Sequence, residues 1–280
     1  MARLRITHTI DFDYESQIAA SYNEVRVSPY GFGEQMLLSH QVSVDPAVRT
    51  RESVDCFGTR VHEFEIQQPH SGLSVRADST VVVTRGAQQP QEPISLKEVT
   101  RRSRLDLILA ESLTCTPLTA APDEVAELAS GLVDRHNVGA SALSIAQEVA
   151  SRIEYVPGVT TVHSKAYEVW EQGKGVCQDM AHVVIGALRS VGIPARYISG
   201  YLHPSKEPEA GVTVEGEAHA WIEFYAGKWI GFDPTTATMI GERYVMVGHG
   251  RDYRDVPPVR GVYDGVGGSK MDAKVEITLL

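Results

Sequence analysis

Cysteine is scarce in this sequence: its 280 residues include three, at positions 56, 115 and 177. No C-x-x-C pair of the kind that binds metal occurs among them, so a cysteine-type zinc site is not predicted. A small, odd number of cysteines without a secretory signal is typical of reduced thiols. We therefore expect a cytoplasmic protein.

Long apolar runs and an excess of basic charge are also missing. No segment approaches the roughly 20 apolar residues of a membrane span, and the N-terminal stretch MARLRITHTIDFDYES lacks the apolar core of a signal peptide. Acidic residues outnumber basic ones by 36 to 26, which gives a formal net charge of −10. This balance argues against nucleic acid or a membrane surface as a partner. Hydrophobic residues make up 42% of the chain, so a sizeable core is expected.

The first third of the chain consists of short runs rich in β-branched and aromatic residues, separated by turn residues. The clearest run is LSVRADSTVVVTR, residues 73–85. Such spacing predicts an antiparallel, sandwich-like β domain. A stretch rich in Gln and Pro, residues 86–93, has the composition of a linker. We predict a β-rich N-terminal domain at 1–90, a linker at 91–105 and a core with a C-terminal extension at 106–280.

Helical patterns precede strand patterns in the second half. The segment SALSIAQEVASRIEY places its apolar residues on one helical face, with Ser141 as a candidate N-cap. Another helix begins near Cys177 and is stopped by Gly192 and Pro194. Three strand-like segments follow: ARYISGYL, AHAWIEFY and KWIGFDP. Helices followed by an antiparallel sheet predict an α+β fold.

Cys177 lies where this last helix begins, directly after a glycine turn. Free backbone N–H groups and the positive end of the helix dipole favour a thiolate at such a position. The same N–H groups can donate to an oxyanion. A buried core cysteine needs neither property, but the helix by itself does not separate the two interpretations.

A base and an acid for this cysteine are found on two strands joined by a turn at 226–228. His219 lies on the first strand and Asp233 on the second. Antiparallel pairing around the turn predicts that Asp233 lies opposite His219 or one residue away, where a carboxylate can orient an imidazole. Cys177, His219 and Asp233 would then form a complete set for nucleophilic acyl transfer. The alternative is a polar cross-strand pair at the sheet surface.

Four ordered motifs resemble the transglutaminase-like superfamily, which has a papain-like cysteine-peptidase core: GVCQDMAH, GIPARYISGY, EAHAWIEFY and FDPT. The N-terminal half and the ending GRDYRDVPPVRGVYDG resemble bacterial members, in which a β-rich domain precedes this core. One departure is Thr59, where similar sequences commonly have Asn. The resemblance implies a cysteine hydrolase core with Cys177 as nucleophile, His219 as base and Asp233 as orienting acid. It does not imply protein cross-linking, because related bacterial proteins are described as proposed cysteine proteases as often as transglutaminases.

Neighbouring residues are candidates for contacts with the substrate. Gln178 and Trp170 are candidate oxyanion or leaving-group contacts, although Trp170 is more typical of a core residue. The backbone N–H of Cys177 is the safer oxyanion donor. Trp221 lies two residues after His219 on the same strand face, and either packs over the imidazole or belongs to the core.

His182 and Asp179 follow the cysteine on the same helix. His182 points away from the sulfur of Cys177 by more than a third of a turn, so a zinc pair is poorly supported. No metal or other cofactor is therefore expected. We interpret His182 and Asp179 as buried hydrogen-bonding residues that shape the cleft.

The segment 203–217 is polar, acidic and rich in Pro and Gly, and it immediately precedes the strand of His219. We interpret it as a solvated surface loop. The alternative is a rim that selects substrate, made electronegative by four glutamates against one lysine.

Together these observations predict acyl transfer through a thioester on Cys177, with a peptide or protein as substrate. The bond attacked is a peptide, isopeptide or glutamine-type amide, and the acceptor is water or an amine. Hydrolysis is favoured because water reaches any open cleft and no dedicated amine site is recognised. The alternatives are an amine-accepting transglutaminase and a non-catalytic binding module that kept the fold. Retention of Cys177, His219 and Asp233 argues against the binding module, and the sequence does not indicate an oligomeric state.

Overall fold

The computed structural model describes residues 1–90 and 92–280, in which strands are followed by helices and then by more strands. The strands are β1 Ala2–Ile18, β2 Ala20–Val25, β3 Gln35–Asp45, β4 Arg51–Val54, β5 Arg60–Ile66, β6 His70–Val83, β7 Glu154–Tyr155, β8 Lys174–Gly175, β9 Ala195–Leu202, β10 Thr213–Tyr225, β11 Trp229–Asp233, β12 Thr238–Met239, β13 Tyr244–Gly250, β14 Val259–Asp264 and β15 Ser269–Leu279. The helices are α1 Leu96–Ser103, α2 Leu107–Glu111, α3 Asp123–Gly131, α4 Val138–Ala150, α5 Ala166–Gln172, α6 Cys177–Ser190 and a short 3-10 helix at Tyr253–Asp255. Within these described ranges no helix is long and apolar enough to cross a membrane.

Nine strands form one antiparallel sheet. Seven of them follow the order β12-β11-β10-β15-β1-β6-β3, while β9 pairs with β10 and β13 pairs with β9. The C-terminal strand β15 lies between β10 and β1, and so joins strands from the two halves of the chain. Strand β10 pairs with two of these strands in succession. Its residues 213–216 pair with β15, and its residues 217–224 pair with β9.

The β-rich N-terminal region predicted from the sequence is confirmed. A second, four-stranded sheet has the order β14-β2-β5-β4. Apolar side chains of both sheets meet in one cluster, which includes Ile10 and Val75 of the large sheet and Val25 and Phe64 of the small one. Strands β14 and β15 complete the two sheets, although both lie in the part of the sequence assigned to the core domain.

The segment predicted as a linker, 91–105, contains helix α1. The side chain of Ser95 caps this helix by accepting a hydrogen bond of 3.3 Å from the N–H of Glu98. Val99 is fully buried in the cluster that surrounds α6. This part of the segment is therefore packed, because the composition typical of a linker ends before Ser95 and an amphipathic helix follows.

Helix α6 lies at the centre of the core, which explains its shortage of polar surface. Its side chains are buried among those of α3, α4, α5 and the strand β10. Ala220, Ile222 and Phe224 alternate along β10 toward this helix, while Trp221 belongs to a cluster on the other face. The α+β fold predicted from helices followed by strands is confirmed.

Helix α4 begins earlier than predicted. Asn137, rather than Ser141, is its N-cap, and the Asn137 side chain accepts a hydrogen bond of 3.1 Å from the N–H of Ala140. Ser141 lies within the first turn, where its hydroxyl donates to the carbonyl of Asn137.

Arg189, near the end of α6, is a buried charge held by backbone carbonyls. Its guanidinium donates to the carbonyl oxygens of Ser112, Thr114, Ala195 and Arg251 at 2.8 to 2.9 Å. Burial lowers its pKa to about 10. These contacts connect the helix to the segments that lead into α3 and out of β13.

Candidate active site

Cys177 is the first residue of α6, and the local sequence explains why the helix begins there. Val176 is extended, with φ −112° and ψ −178°, and its N–H donates to the carboxylate of Asp179 at 2.8 Å. Gly175 permits this approach, since a Cβ at that position would lie 2.8 Å from the Cβ of Asp179. The thiol of Cys177 is free and the residue is half-buried. N–H groups of the first helical turn have no partner within the helix, so they are available to an oxyanion.

His219 and Asp233 form a buried pair on β10 and β11. The Nε2 atom of His219 lies 2.9 Å from Oδ2 of Asp233. The side chain of His219 is 3% exposed and that of Asp233 is fully buried. A surface pair would be largely solvated, so the alternative of a polar pair at the sheet surface is wrong.

The offset between His219 and Asp233 differs slightly from the prediction. Ile222 lies opposite Phe232, which puts Asp233 two places from the position opposite His219, rather than none or one. A shift of two residues keeps both side chains on the same face of the sheet, whereas a shift of one would separate them. Imidazole and carboxylate groups are long enough to meet across this diagonal.

The residues that surround the Asp233 carboxylate were not predicted from the sequence. Its Oδ2 accepts hydrogen bonds from the hydroxyls of Tyr244 at 2.8 Å and Thr236 at 3.0 Å, and its Oδ1 accepts one from the N–H of Thr235 at 2.9 Å. The two threonines directly follow the FDP motif and could have been considered as local partners. Tyr244 comes from β13 and gives no such indication in the sequence.

These contacts set the charge of the pair. Burial by itself lowers the pKa of His219, but the interactions with Asp233 and Cys177 outweigh it and raise the pKa to about 10. Burial by itself raises the pKa of Asp233. The hydrogen bond and the charge of His219, together with the hydrogen bonds from Tyr244 and Thr236, outweigh burial and hold this pKa below its ordinary value. The imidazolium and the carboxylate are therefore the stable forms at neutral pH.

The other ring nitrogen of His219 is free for the sulfur. Asp233 occupies Nε2, and Cys177 lies close enough to the imidazole to help raise its pKa against the effect of burial. The structure thus places Cys177, His219 and Asp233 at one site, and their catalytic roles stay a prediction. The carboxylate of Glu217 lies on the same side of the ring, with Oε2 3.9 Å from Nδ1.

Trp221 supports the imidazole from within the core. It is fully buried, and its ring stacks with that of His219 at a centroid distance of 6.4 Å and an interplanar angle of 27°. Gly200 leaves space for the indole, because a Cβ there would lie 2.5 Å from it. Trp221 therefore both packs over the imidazole and belongs to the core. Because its side chain is fully buried, it cannot contact the substrate.

Gln178 and Trp170 each donate a hydrogen bond to another segment. The side-chain amide of Gln178 donates to the carbonyl of Val162 at 3.3 Å. The indole N–H of Trp170 donates to Glu124 at 3.1 Å, and the guanidinium of Arg152 lies over its ring. The single N–H of Trp170 is thus occupied, whereas the second N–H of the Gln178 amide is not, so Gln178 stays a candidate contact. The backbone N–H groups at the start of α6 remain the first candidates for an oxyanion.

His182 and Asp179 hold the cleft together by hydrogen bonds. His182 is fully buried and accepts a hydrogen bond of 3.2 Å from the N–H of Tyr253. Asp179 accepts from the hydroxyl of Thr160 at 2.6 Å as well as from Val176. Across residues 1–90 and 92–280, no group of three or more His, Cys, Asp or Glu residues is arranged to hold a metal ion.

The loop predicted at 203–217 is shorter in the structure. Strand β9 ends at Leu202 and β10 begins at Thr213, so the last five residues of the predicted loop belong to a strand. Residues 213–216 are drawn into the sheet because they pair with the C-terminal strand β15. No local pattern indicates this partner, which is about 60 residues away in sequence.

Two sequence families match the chain. Residues 4–82 match the family described as Bacterial transglutaminase-like N-terminal region. Residues 126–234 match the family described as Transglutaminase-like superfamily. The second range contains Cys177, His219 and Asp233.

Similar proteins support this assignment. A protein of Mycobacterium leprae is 39% identical over 280 residues, which cover the whole of both chains. A protein-glutamine gamma-glutamyltransferase of Pseudomonas aeruginosa is 31% identical over 71 residues, 24% of this chain and 11% of that enzyme. The crystal structure of a proposed cysteine protease from Cytophaga hutchinsonii shares the fold, with a TM-score of 0.78 at 23% identity over 100% of this chain and 91% of that one. The protein belongs to the transglutaminase-like superfamily, as a member with the bacterial transglutaminase-like N-terminal region.

Proposed function

We propose that this protein is an enzyme that hydrolyses a peptide, isopeptide or other amide bond through a thioester on Cys177. The observation that carries the proposal is the position of His219 between the buried carboxylate of Asp233 and Cys177, with its pKa raised to about 10. An imidazole held in this way remains protonated at neutral pH, and a neighbouring imidazolium stabilises a thiolate. The proposed substrate is a peptide or protein.

Acylation follows from this pair of charges. The thiolate of Cys177 attacks the amide carbonyl carbon, and the carbonyl oxygen takes up the negative charge. Backbone N–H groups at the start of α6 donate to that oxygen. The imidazolium of His219 gives its proton to the amine nitrogen, the C–N bond breaks, and the amine leaves a thioester on the sulfur.

Hydrolysis completes the cycle. Neutral His219 accepts a proton from a water molecule as the oxygen attacks the thioester, and the C–S bond then breaks to restore the thiolate and imidazolium. Because Cys177 is only half-buried, water can reach the thioester without a conformational change.

Transfer of the acyl group to an amine is the second candidate. Two observations support it: the carboxylate of Glu217 close to His219, and the similarity of 24% of the chain to the Pseudomonas aeruginosa glutamyltransferase. Both reactions use the same thioester, so they differ only in the acceptor.

A peptide-library cleavage screen with wild type and Cys177→Ala tests the proposal. Cleavage by the wild type and its loss in the variant are expected, and an added dansylated amine would be incorporated only if the acceptor is an amine. Binding of peptides by both proteins without cleavage or conjugation would instead support a non-catalytic binding module.

A further inference from the structure

A cavity of about 230 Å³ lies between the N-terminal region and the strands β9, β10, β11 and β13. From the N-terminal region, its wall takes residues of the segments 30–35 and 85–88. Among the described residues, Cys177, His219 and Asp233 lie outside this wall, so the cavity is separate from the proposed active site. It is smaller than the roughly 300–1,000 Å³ pockets that bind drug-sized molecules, and its size suits a small organic acid.

Arg85 is a residue of this wall whose guanidinium lacks close partners. It lies two residues after strand β6, and its side chain is 13% exposed. Among the residues that the structure describes, its Nη1 atom is buried without a hydrogen-bond partner. Its Nε atom lies 3.8 Å from Oε2 of Glu34, which is too far for a hydrogen bond. A buried donor without an acceptor is unfavourable, so an anion that enters the cavity would relieve Arg85.

The two acidic residues of the wall already have partners. The Oε1 atom of Glu34 accepts a hydrogen bond of 2.7 Å from the side-chain amide of Gln88. The Oε2 atom of Glu223 accepts a hydrogen bond of 2.8 Å from Nε of Arg196, so these two charges neutralise each other. The wall therefore offers one guanidinium, that of Arg85, to a ligand. A monoanion suits it better than a dianion, which the two glutamates would repel.

The remaining wall is largely aromatic and aliphatic. Its apolar residues are Tyr30, Phe32, Trp229, Ile230, Ile240 and Met246. Phe32 is 72% exposed, and its ring meets that of Tyr30 edge-on at a centroid distance of 5.3 Å. The ring of Trp229 is already covered on one side, because the guanidinium of Arg196 lies 4.2 Å from its centroid. An apolar group that packs against Phe32 and Tyr30 would bury surface that is otherwise in contact with water.

We propose that this cavity binds a small carboxylic acid with an aromatic or other apolar body, its carboxylate on Arg85 and its body against Phe32 and Tyr30. A carboxylate matches a guanidinium because two parallel N–H groups can donate to its two oxygens. The Arg85 guanidinium can turn toward such a ligand, since no close contact holds it. The bound acid would connect the N-terminal region with β11, the strand that ends at Asp233. The proposal does not depend on the chemistry of Cys177.

Phenylacetate and phenylacetamide test the site as a matched pair, because they share the ring and differ in charge. Isothermal titration calorimetry of the full chain gives Kd, and thermal unfolding at constant ionic strength gives Tm. We expect phenylacetate to bind with a Kd of about 1 mM, as is usual for a ligand of its size. At about ten times this concentration it should raise Tm by about 3 °C. Phenylacetamide and inorganic phosphate should leave Tm unchanged.

Three variants locate the ligand. Arg85→Gln should weaken phenylacetate binding about tenfold, because it removes a charge-assisted contact with the carboxylate. Its Tm without ligand should stay close to that of the wild type, since the guanidinium has no close partner to lose. Phe32→Ala changes an exposed position and should weaken binding about fivefold. The control Arg76→Gln removes a guanidinium of β6 that pairs with Asp78 at 2.8 Å on the surface, and it should bind as the wild type does.

Several outcomes would overturn the carboxylate site. No shift with phenylacetate would mean that solvent satisfies Arg85, and an equal shift with phenylacetamide or phosphate would mean that the carboxylate is not recognised. An unchanged Kd in Arg85→Gln, or weaker binding to Cys177→Ala, would place the ligand elsewhere on the protein. A large fall in the Tm of ligand-free Arg85→Gln would mean that the guanidinium is paired within the folded chain and is not held for a ligand.

Discussion

The Oδ2 atom of Asp233 lies 2.9 Å from Nε2 of His219, and the same oxygen accepts hydrogen bonds from the hydroxyls of Tyr244 and Thr236. Three donors therefore converge on one oxygen of a fully buried carboxylate. Their combined effect keeps the carboxylate charged despite its burial. The imidazole is held with Nε2 toward Asp233, which leaves Nδ1 for the sulfur of Cys177.

Replacement of Asp233 separates orientation from charge. Asn at this position can still accept a hydrogen bond from Nε2, so it should preserve the orientation of His219 and lose only the charge. We expect kcat/KM to fall about tenfold in Asp233→Asn and about a thousandfold in Asp233→Ala, since papain-like enzymes use Asn in this role. Steady-state kinetics on a peptide found in the cleavage screen would measure both. Equal losses in the two variants would mean that orientation contributes nothing beyond charge.

Thiol reactivity should not follow accessibility in this protein. Cys56 and Cys115 are exposed, whereas Cys177 is half-buried. We nevertheless expect Cys177 to react with limiting iodoacetamide near pH 6 far faster than the other two, because it alone lies at a helix N-terminus beside an imidazolium. Mass spectrometry of the labelled peptides would give the ranking.

The variant His219→Gln provides the control for this labelling. It removes the charge partner and leaves Cys177 at the same place on α6, so labelling of Cys177 should slow while that of the two exposed cysteines stays the same. Labelling in the order of exposure in the wild type would contradict a thiolate.

The residues of the proposed mechanism could be predicted because the information about them is local. Cys177 follows a glycine turn at a helix start, and both features are visible in about five residues of sequence. His219 and Asp233 lie on neighbouring strands joined by a short turn, so their approach depends on a single register. The offset of Asp233 from the position opposite His219 is two residues rather than none or one, because the turn residues do not fix the register to a single value.

Features that depend on distant parts of the chain could not be predicted. Strand β15 pairs with both β1 and β10, which places the C-terminal strand in the middle of the large sheet. Tyr244 reaches Asp233 only because β13 pairs with β9. The alternation of apolar residues in these strands indicates a buried face but does not indicate which strand is the partner.

His219 should make stability depend on pH. Burial lowers its pKa, but Asp233 and Cys177 outweigh burial and raise the pKa from 6.5 to about 10. Between these two values the folded protein holds a proton that the unfolded chain has released. The stabilisation is therefore complete below about pH 6.5 and is lost as the pH rises toward 10.

Urea unfolding of Cys177→Ala and Cys177→Ala/His219→Gln would measure the part of this contribution that comes from Asp233. We expect the free energy of unfolding of the single variant to fall by about 1–2 kcal/mol more than that of the double variant as the pH rises through this range. Parallel curves would mean that Asp233 alone does not keep His219 protonated in the folded state.

Arg189 should be among the residues on which the stability of the core depends most. Its guanidinium, on a side chain 8% exposed overall, donates to four backbone carbonyls. Lysine keeps the charge but has a single ammonium, which cannot reach carbonyls on several segments at once. We expect Arg189→Lys to reduce the free energy of unfolding by about 3 kcal/mol, since buried carbonyls and a buried charge lose their partners. Urea denaturation monitored by tryptophan fluorescence would measure the loss.

Arg152→Lys is the matched control for this variant. Arg152 also follows a helix of the core, but its side chain is 45% exposed and it pairs with Glu148 at 2.7 Å on the surface. A lysine ammonium can keep both this exposed pair and a cation–π contact with Trp170, so the exchange should change the free energy of unfolding by less than about 1 kcal/mol. A large loss in Arg189→Lys beside a small one in Arg152→Lys would assign the effect to the buried carbonyls rather than to the exchange of the side chain. Similar small losses in both would show that the segments around Arg189 are held by their apolar packing alone.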